Sequence, residues 1–157
     1  MPHPATPIPA DLLARLRQAR HVAIFTHQRP DPDALGSQAA AVRILHALGA
    51  TTIHLLHFAP MPQPYLFLHE NLPAQSALFS DAWAAEVGPT LDTILIVDPC
   101  TYSQLEPAAA FLQAQRDQVV AIDHHLTRDD VGPLIHADIS AAACVEILWH
   151  FARLASL

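Results

Sequence analysis

This sequence is poor in charge, in glycine and in cysteine. Charged residues make up 15% of its 157 positions and apolar residues 52%. A chain that stays disordered needs the opposite balance, so that class is excluded and a single domain with a real core is expected. Eight Lys and Arg stand against fifteen Asp and Glu, a net charge of −7 with histidine neutral. Backbone phosphates are bound by Lys and Arg, which excludes stable binding of duplex DNA. Any nucleic acid handled here has to find positive charge elsewhere, and a metal is the ready source. Only four glycines occur. None forms the Gly-x-Gly-x-x-Gly turn after a first strand that a dinucleotide-binding oxidoreductase uses. The two cysteines, Cys100 and Cys144, form neither a Cys-x-x-Cys pair nor a disulfide framework, and read as reduced thiols in the core. No apolar run is long enough to span a bilayer. The N-terminus lacks the basic and apolar regions of a signal peptide, so a cytoplasmic location is expected.

Proline and histidine are what the sequence has in quantity. Four prolines fall within Met1 to Ala10, and residues 1–9 read as a loose Pro-rich arm before one domain over 10–157. Three apolar runs end in acids and imidazoles. His21-Val-Ala-Ile-Phe-Thr-His27 leads to Asp31 and Asp33, Thr93-Ile-Leu-Ile-Val97 to Asp98, and Val119-Val-Ala-Ile122 to Asp123-His124-His125. Short unbroken apolar runs read as buried strands. Parallel sheets place their sites at the C-terminal ends of such strands.

Helical spacing is expected over Ala10–Arg20, Ala34–Leu48, Asp81–Val87, Ser103–Arg116 and Ser140–Leu154, with one helical turn at Tyr65–His69. Ser103 and Glu106 have the spacing of a capping box. Strands are expected at His21–His27, Thr52–Phe58, Leu91–Val97 and Val119–Ile122, with a short edge strand at Leu134–His136. Strand and helix alternate, so the class is α/β: a three-layer Rossmann-like domain with a mostly parallel sheet.

His27, Asp31 and Asp33 lie within seven residues, between a strand end and a helix. Carboxylate and imidazole together suit Mn, Mg, Co or Zn and favour a transition metal over Mg. The same acids also suit a turn that caps the helix at Ala34. Gly36 and Ser37, early in that helix, sit where backbone N–H groups could receive a phosphate. Asp98 fits a metal ligand, a phospho-acceptor or a turn former. The pair His124-His125, after a buried acid, has little structural use. His46, His54, His57, His69, His136 and His150 carry no ligand spacing and read as surface or core histidines. Two clusters with Asp98 between them can hold two metals, which activate water and clamp a phosphoryl group.

These residues resemble the DHH phosphoesterase superfamily. His27-x-x-x-Asp31-x-Asp33-Ala-Leu-Gly-Ser is similar to its first motif, Asp98 to its second, and Asp123-His124-His125 to the motif that names it. Ser140-Ala-Ala-Ala-Cys-Val-Glu146-Ile-Leu is similar to a helix of the branch of oligoribonucleases and phosphoadenosine-phosphate phosphatases. The resemblance covers the chain from about Ala10 onward. It implies two Mn ions, one held by His27, Asp31 and Asp98 and the other by Asp33, Asp98 and His124. It implies that His125 faces the substrate phosphate and that Asp123 orients the histidines. The implied activity is hydrolysis of phosphoesters in short oligonucleotides, dinucleotides or 3′-phosphoadenosine nucleotides. The alternative is a nucleotide- or metal-binding module of that family without turnover.

The chain also departs from the family. Pro32 stands where glycine is usual and Gln104 where arginine is common. A fourth metal-binding Asp and a substrate-gripping C-terminal domain, which follow the last helix in the family, are not matched; Asp138 precedes that helix. Trp149 and Phe151 are expected to be exposed on the final helix, which implies self-association.

Overall fold

The apolar runs become the strands of one parallel sheet. The computed structural model describes residues 6–157. Its strands are β1 (His21–Phe25), β2 (Thr52–His57), β3 (Gln75–Leu78), β4 (Thr93–Asp98), β5 (Val119–Asp123) and β6 (Leu134–Ala137). They pair in the order β3-β2-β1-β4-β5-β6, every neighbour parallel. Parallel strands are covered on both faces, which is why β4 reads Thr-Ile-Leu-Ile-Val-Asp and is buried at every position.

Alternate residues feed two cores. Val22, Ile24, Ile53, Leu55, Leu95, Val97, Val120 and Ile122 pack under α1 (Ala10–Gln18), α2 (Pro32–Ala47) and α5 (Cys144–Leu154), meeting Leu12, Leu16, Leu45, Leu148 and Phe151. Ala23, Phe25, Ile94, Ile96 and Ala121 face the other way, toward Leu105 and Leu112 and the partly buried Trp83 of α3 (Asp81–Val87). The second core holds an aromatic group, with Phe25 5.7 Å from Phe79, 6.1 Å from Phe58 and 6.2 Å from Phe111 by ring centroid. The three layers are helix, sheet and helix, a Rossmann-like α/β fold. From β1 the chain winds outward through β2 and β3, then crosses back to β4 and out through β5 and β6. The reversal lies between β1 and β4, and a crevice opens there at the strand C-termini.

Three elements and one side chain differ from expectation. β3 carries no apolar run and was not foreseen; it is an edge strand whose residues are mostly exposed, held by its register with β2. The helix expected over Ser103–Arg116 is broken into a 3₁₀ turn at Glu106–Ala108, α4 (Ala109–Ala114) and a 3₁₀ turn at Arg116–Gln118. Pro107 cannot donate to the carbonyl one turn back, so no α-helix runs through it. The capping box is therefore not made, and the Ser103 hydroxyl instead donates to Thr101 Oγ1 at 3.4 Å. The last helix starts at Cys144, not Ser140, because Asp138 takes both the N–H and the hydroxyl of Ser140 into a turn, at 3.0 and 2.6 Å. Phe151, expected on the surface, is fully buried, while Trp149 is exposed with Arg153 stacked over it.

Of the expected N-terminal arm, residues 1–5 lie outside the described residues. Thr6 donates its N–H to Asp138 at 2.7 Å and Ile8 packs on the first core, so residues 6–9 are anchored. Cys100 and Cys144 are both buried free thiols. No helix of the described residues is long and apolar enough to cross a membrane.

Candidate active site

The site is built from strand ends and the turns that leave them. β1 stops at Phe25, and Thr26-His27 carries the chain into the crevice. Pro32, at the first position of α2, has the fixed φ that a helix start needs and no N–H to leave unsatisfied. Asp31 is the N-cap of that helix, its Oδ1 accepting the Ala34 N–H at 2.9 Å. The capping and ligand readings of Asp31 are compatible, since it caps the helix through Oδ1 and also forms, with His27 and Asp98, one of two potential metal-holding groups.

Asp98 ends β4 in a conformation that β strands do not use. Its φ of +83° lies in the left-handed region, costly for any residue with a Cβ. The carboxylate is buried, with 2% of the residue exposed. His27 Nε2 lies 3.1 Å from Asp98 Oδ2, and His124 Nε2 lies 3.6 Å from Asp98 Oδ1. His124 Nε2 is also 3.6 Å from Asp33 Oδ2. Asp98 thereby stands between one imidazole on the β1 side and another on the β5 side.

Asp123, at the end of β5, is fully buried. Its Oδ1 accepts the N–H groups of His124 at 2.7 Å and His125 at 3.0 Å, and faces His125 Nδ1 at 2.7 Å. His125 Nδ1 also lies 3.0 Å from the Asp98 carbonyl. With two acceptors before it, Nδ1 carries the proton, leaving Nε2 of this exposed ring for the crevice. Burial alone would lower the basicity of His125; hydrogen bonds to Asp123 and the Asp98 carbonyl, with both carboxylate charges, outweigh it and raise the pKa. Cys100 lies beside the same acid; burial and the Asp123 charge push its thiol pKa up, so it stays protonated.

Asp33 does more than the sequence suggested. Its Oδ2 accepts the Cys144 N–H at 2.7 Å and its Oδ1 the Val145 N–H at 3.1 Å, so it caps α5 from a distance. Ala143, the residue before α5, has no side chain able to do so. Ser37, expected to meet a phosphate, is fully buried. Its hydroxyl is turned to Asp33 Oδ1 at 3.4 Å. It braces Asp33 instead.

The donor set fits divalent cations. Asp98 Oδ1 is buried with no hydrogen-bond partner among the described residues. A buried carboxylate oxygen seldom goes unpaired unless an ion or water answers it. The groups His27, Asp31, Asp98 and Asp98, His124, His125 each bring ligand atoms within 4.8 Å of one another. They share Asp98, and no Arg forms an ion pair with either group among the described residues. Asp33, expected with Asp98 and His124, lies on the rim of the second group. His54, His57 and His136 are buried, and His46 is exposed. His57 burial, with His69 beside it, pushes its pKa down to about 4.

Sequence reasoning missed a cavity of about 330 Å³ beside His27, lined by Thr26, Arg29, Leu56, His57 and Phe58 among others. Its walls come from the loops after β1 and β2, adjacent only in the folded sheet.

Comparison with known proteins adds three findings. The family described as DHH family, N-terminal domain, matches residues 21–156. A probable bifunctional oligoribonuclease and PAP phosphatase of Streptococcus mutans is 24% identical over 148 residues, 90% of this chain and 41% of that protein. The crystal structure of an exopolyphosphatase-related protein from Bacteroides fragilis shares the fold with a TM-score of 0.81 at 16% identity, over 94% of this chain and 44% of that one. The chain thus spans less than half the length of either relative.

Proposed function

This chain belongs to the DHH family, and from that premise we propose that it is the catalytic domain of a metal-dependent phosphoesterase. The substrate class we propose is short: oligoribonucleotides, dinucleotides or 3′-phosphoadenosine nucleotides. The observation that carries the reading is Asp98, a buried carboxylate with an unpaired oxygen, set between the imidazoles of His27 and His124.

Two divalent cations, with Mn²⁺ the expected metal and Mg²⁺ or Co²⁺ alternatives, fit this donor set. His27, Asp31 and Asp98 would hold one, and Asp98, His124 and Asp33 the other. Such ions supply activated water and positive charge for the phosphoryl oxygens. The chain's own residues supply position. Asp98, held by its backbone conformation, sets the separation of the two clusters. Asp123 fixes both histidines through three hydrogen bonds and so acts as a positioning residue. His125, with Nδ1–H committed to Asp123, presents Nε2 to the substrate, where a proton held there can steady a phosphate oxygen or pass to the departing one. The low count of cations elsewhere in the chain agrees with metal ions carrying most of the charge for phosphate.

The test is Mn²⁺-dependent hydrolysis of a di-adenylate by this chain beside its Asp98→Ala variant. Turnover that a chelator abolishes and the variant lacks supports the reading, and equal turnover in both would sink it. A second reading, a nucleotide- or metal-binding module without turnover, is favoured by the commitment of both Asp33 oxygens to α5. Saturable nucleotide binding without hydrolysis would select it. The exposed Trp149 supports a further proposal, self-association through α5, which a monomeric sedimentation profile at high concentration would dismiss.

A further inference from the structure

The cavity beside His27 has apolar walls and two buried polar points, with His27, Gln28 and Arg29 also lining it. Leu56 and Phe58 line it, with Pro60 and Pro62 at the β2 side. The Phe58 ring is held in place by Phe25 at 6.1 Å and by Phe79, edge-on at 6.0 Å. A ring fixed before binding loses little freedom when another ring stacks on it. Of the two polar points, Thr26 is 3% exposed and its Oγ1 has no hydrogen-bond partner among the described residues. A buried hydroxyl left unpaired is costly unless a ligand or water completes it. The other is His57, 9% exposed, whose imidazole is kept neutral by burial and by His69. A neutral imidazole can donate at one nitrogen and accept at the other. Arg29 is exposed on the rim.

An anion would find no buried cation in this interior. A flat, uncharged ring with hydrogen-bonding edges would find an aromatic wall at Phe58 and two buried polar side chains, Thr26 and His57. The volume falls at the small end of ligand cavities, which run about 300–1,000 Å³. His27 lines the cavity and also touches Asp98, so an occupant would adjoin the acid–imidazole cluster.

We propose that this cavity is a nucleobase subsite, in which the base of the nucleoside next to the scissile phosphate stacks on Phe58 and meets Thr26 Oγ1 and His57. The proposal rests on the phosphoesterase reading for the phosphate, but the base pocket is testable alone. Base stacking on aromatic side chains is tolerant of sequence. The subsite would therefore favour nucleotides over sugar phosphates without choosing strongly among bases.

The experiment is equilibrium titration, with Mn²⁺ present, of adenosine 5′-monophosphate, ribose 5-phosphate and adenosine. Two variants accompany the unmodified chain. Thr26→Val removes only the unpaired hydroxyl, and Ala59→Trp, at an exposed position on the rim, fills the cavity. Expected is at least about tenfold tighter binding of the nucleotide than of the sugar phosphate, as stacking implies. That ratio falls severalfold in Thr26→Val and to about one in Ala59→Trp. If neither phosphate binds but adenosine does, with the same loss in both variants, the phosphoesterase reading fails and the subsite stands. Equal binding of the two phosphates, with no adenosine binding, overturns the subsite and leaves the phosphoesterase reading in place. A nucleotide preference that Ala59→Trp leaves intact overturns it as well.

Discussion

Asp33 Oδ2 accepts the backbone N–H of Cys144 at 2.7 Å, across 111 residues of chain. The first turn of α2, which carries a candidate metal ligand, is thereby fastened to the first turn of α5. The positive end of the α5 dipole meets a carboxylate that no residue near its own start provides. One acid serves both the packing of two helices and the rim of the site.

That relationship predicts a stability cost separate from any metal effect. Asp33→Ala, unfolded by urea in the presence of a chelator, should lose about 1–2 kcal/mol, the size of a lost helix cap. Ala143→Asp should recover much of that loss by capping α5 locally, while restoring no metal binding. Unchanged stability in Asp33→Ala would show that the cap is not formed in solution.

Asp98 carries a left-handed backbone, φ +83°, which glycine adopts without strain. Asp98→Gly and Asp98→Ala both remove the carboxylate and differ in little else. Without metal, the glycine variant should be the more stable by about 1 kcal/mol, the range of such backbone strain. Equal denaturation midpoints would argue that the loop relaxes to a different backbone.

Metal removal should lower stability. With free Mn²⁺ at a hundred times its dissociation constant, mass action adds about 2.7 kcal/mol to the folded state. Thermal unfolding should show a rise with Mn²⁺, its reversal by chelator, and no rise in Asp98→Ala. A metal response preserved in that variant would place the ions elsewhere.

His57 predicts a pH dependence in the metal-free chain. Its pKa is about 4 in the folded state, against about 6.5 for an unperturbed histidine, because burial and His69 disfavour its charge. Between those values the unfolded chain binds the extra proton and the folded chain does not. The folded state is therefore penalised as pH falls from 6.5 toward 4, by up to about 3 kcal/mol from this one residue. Urea midpoints at pH 7 and pH 5 should differ, and His57→Gln should reduce the difference. No change in slope with this substitution would remove His57 as the cause.

Asp123→Asn keeps the shape of the buried side chain and removes its charge. His125 then loses the partner that raises its pKa, so its titration, followed by its ring proton resonances, should move down. Under the proposed function, turnover should fall about 10- to 100-fold, as for other residues that orient site histidines. An unmoved titration would mean that Asp123 serves the fold alone.

Much of this fold was legible because buried parallel strands are unbroken apolar runs. His21–Phe25, Thr93–Val97 and Val119–Ile122 announce themselves, and the acids and histidines after them stand out against 15% charge. β3 was not legible, since Gln-Ser-Ala-Leu has no pattern of its own and is a strand only because β2 offers it an edge. The Ser103 and Glu106 spacing suggests one helix, but Pro107 lacks the N–H that an α-helix needs at that point and breaks it. Ser140 has the look of a helix start until Asp138 draws it into a turn.

The sequence by itself determined the class, the parallel sheet and the places where chemistry-bearing side chains leave their strands, because these depend on neighbours along the chain. Which atoms those side chains meet was decided by tertiary structure. The strand order brings the ends of β1 and β4 together, so that Asp98 faces His27. The docking of α5 claims Asp33 and buries Ser37, and the loops after β1 and β2 enclose a cavity that neither defines alone. Each of these joins residues far apart in sequence, where only the pairing of strands and the closing of two cores set the distance.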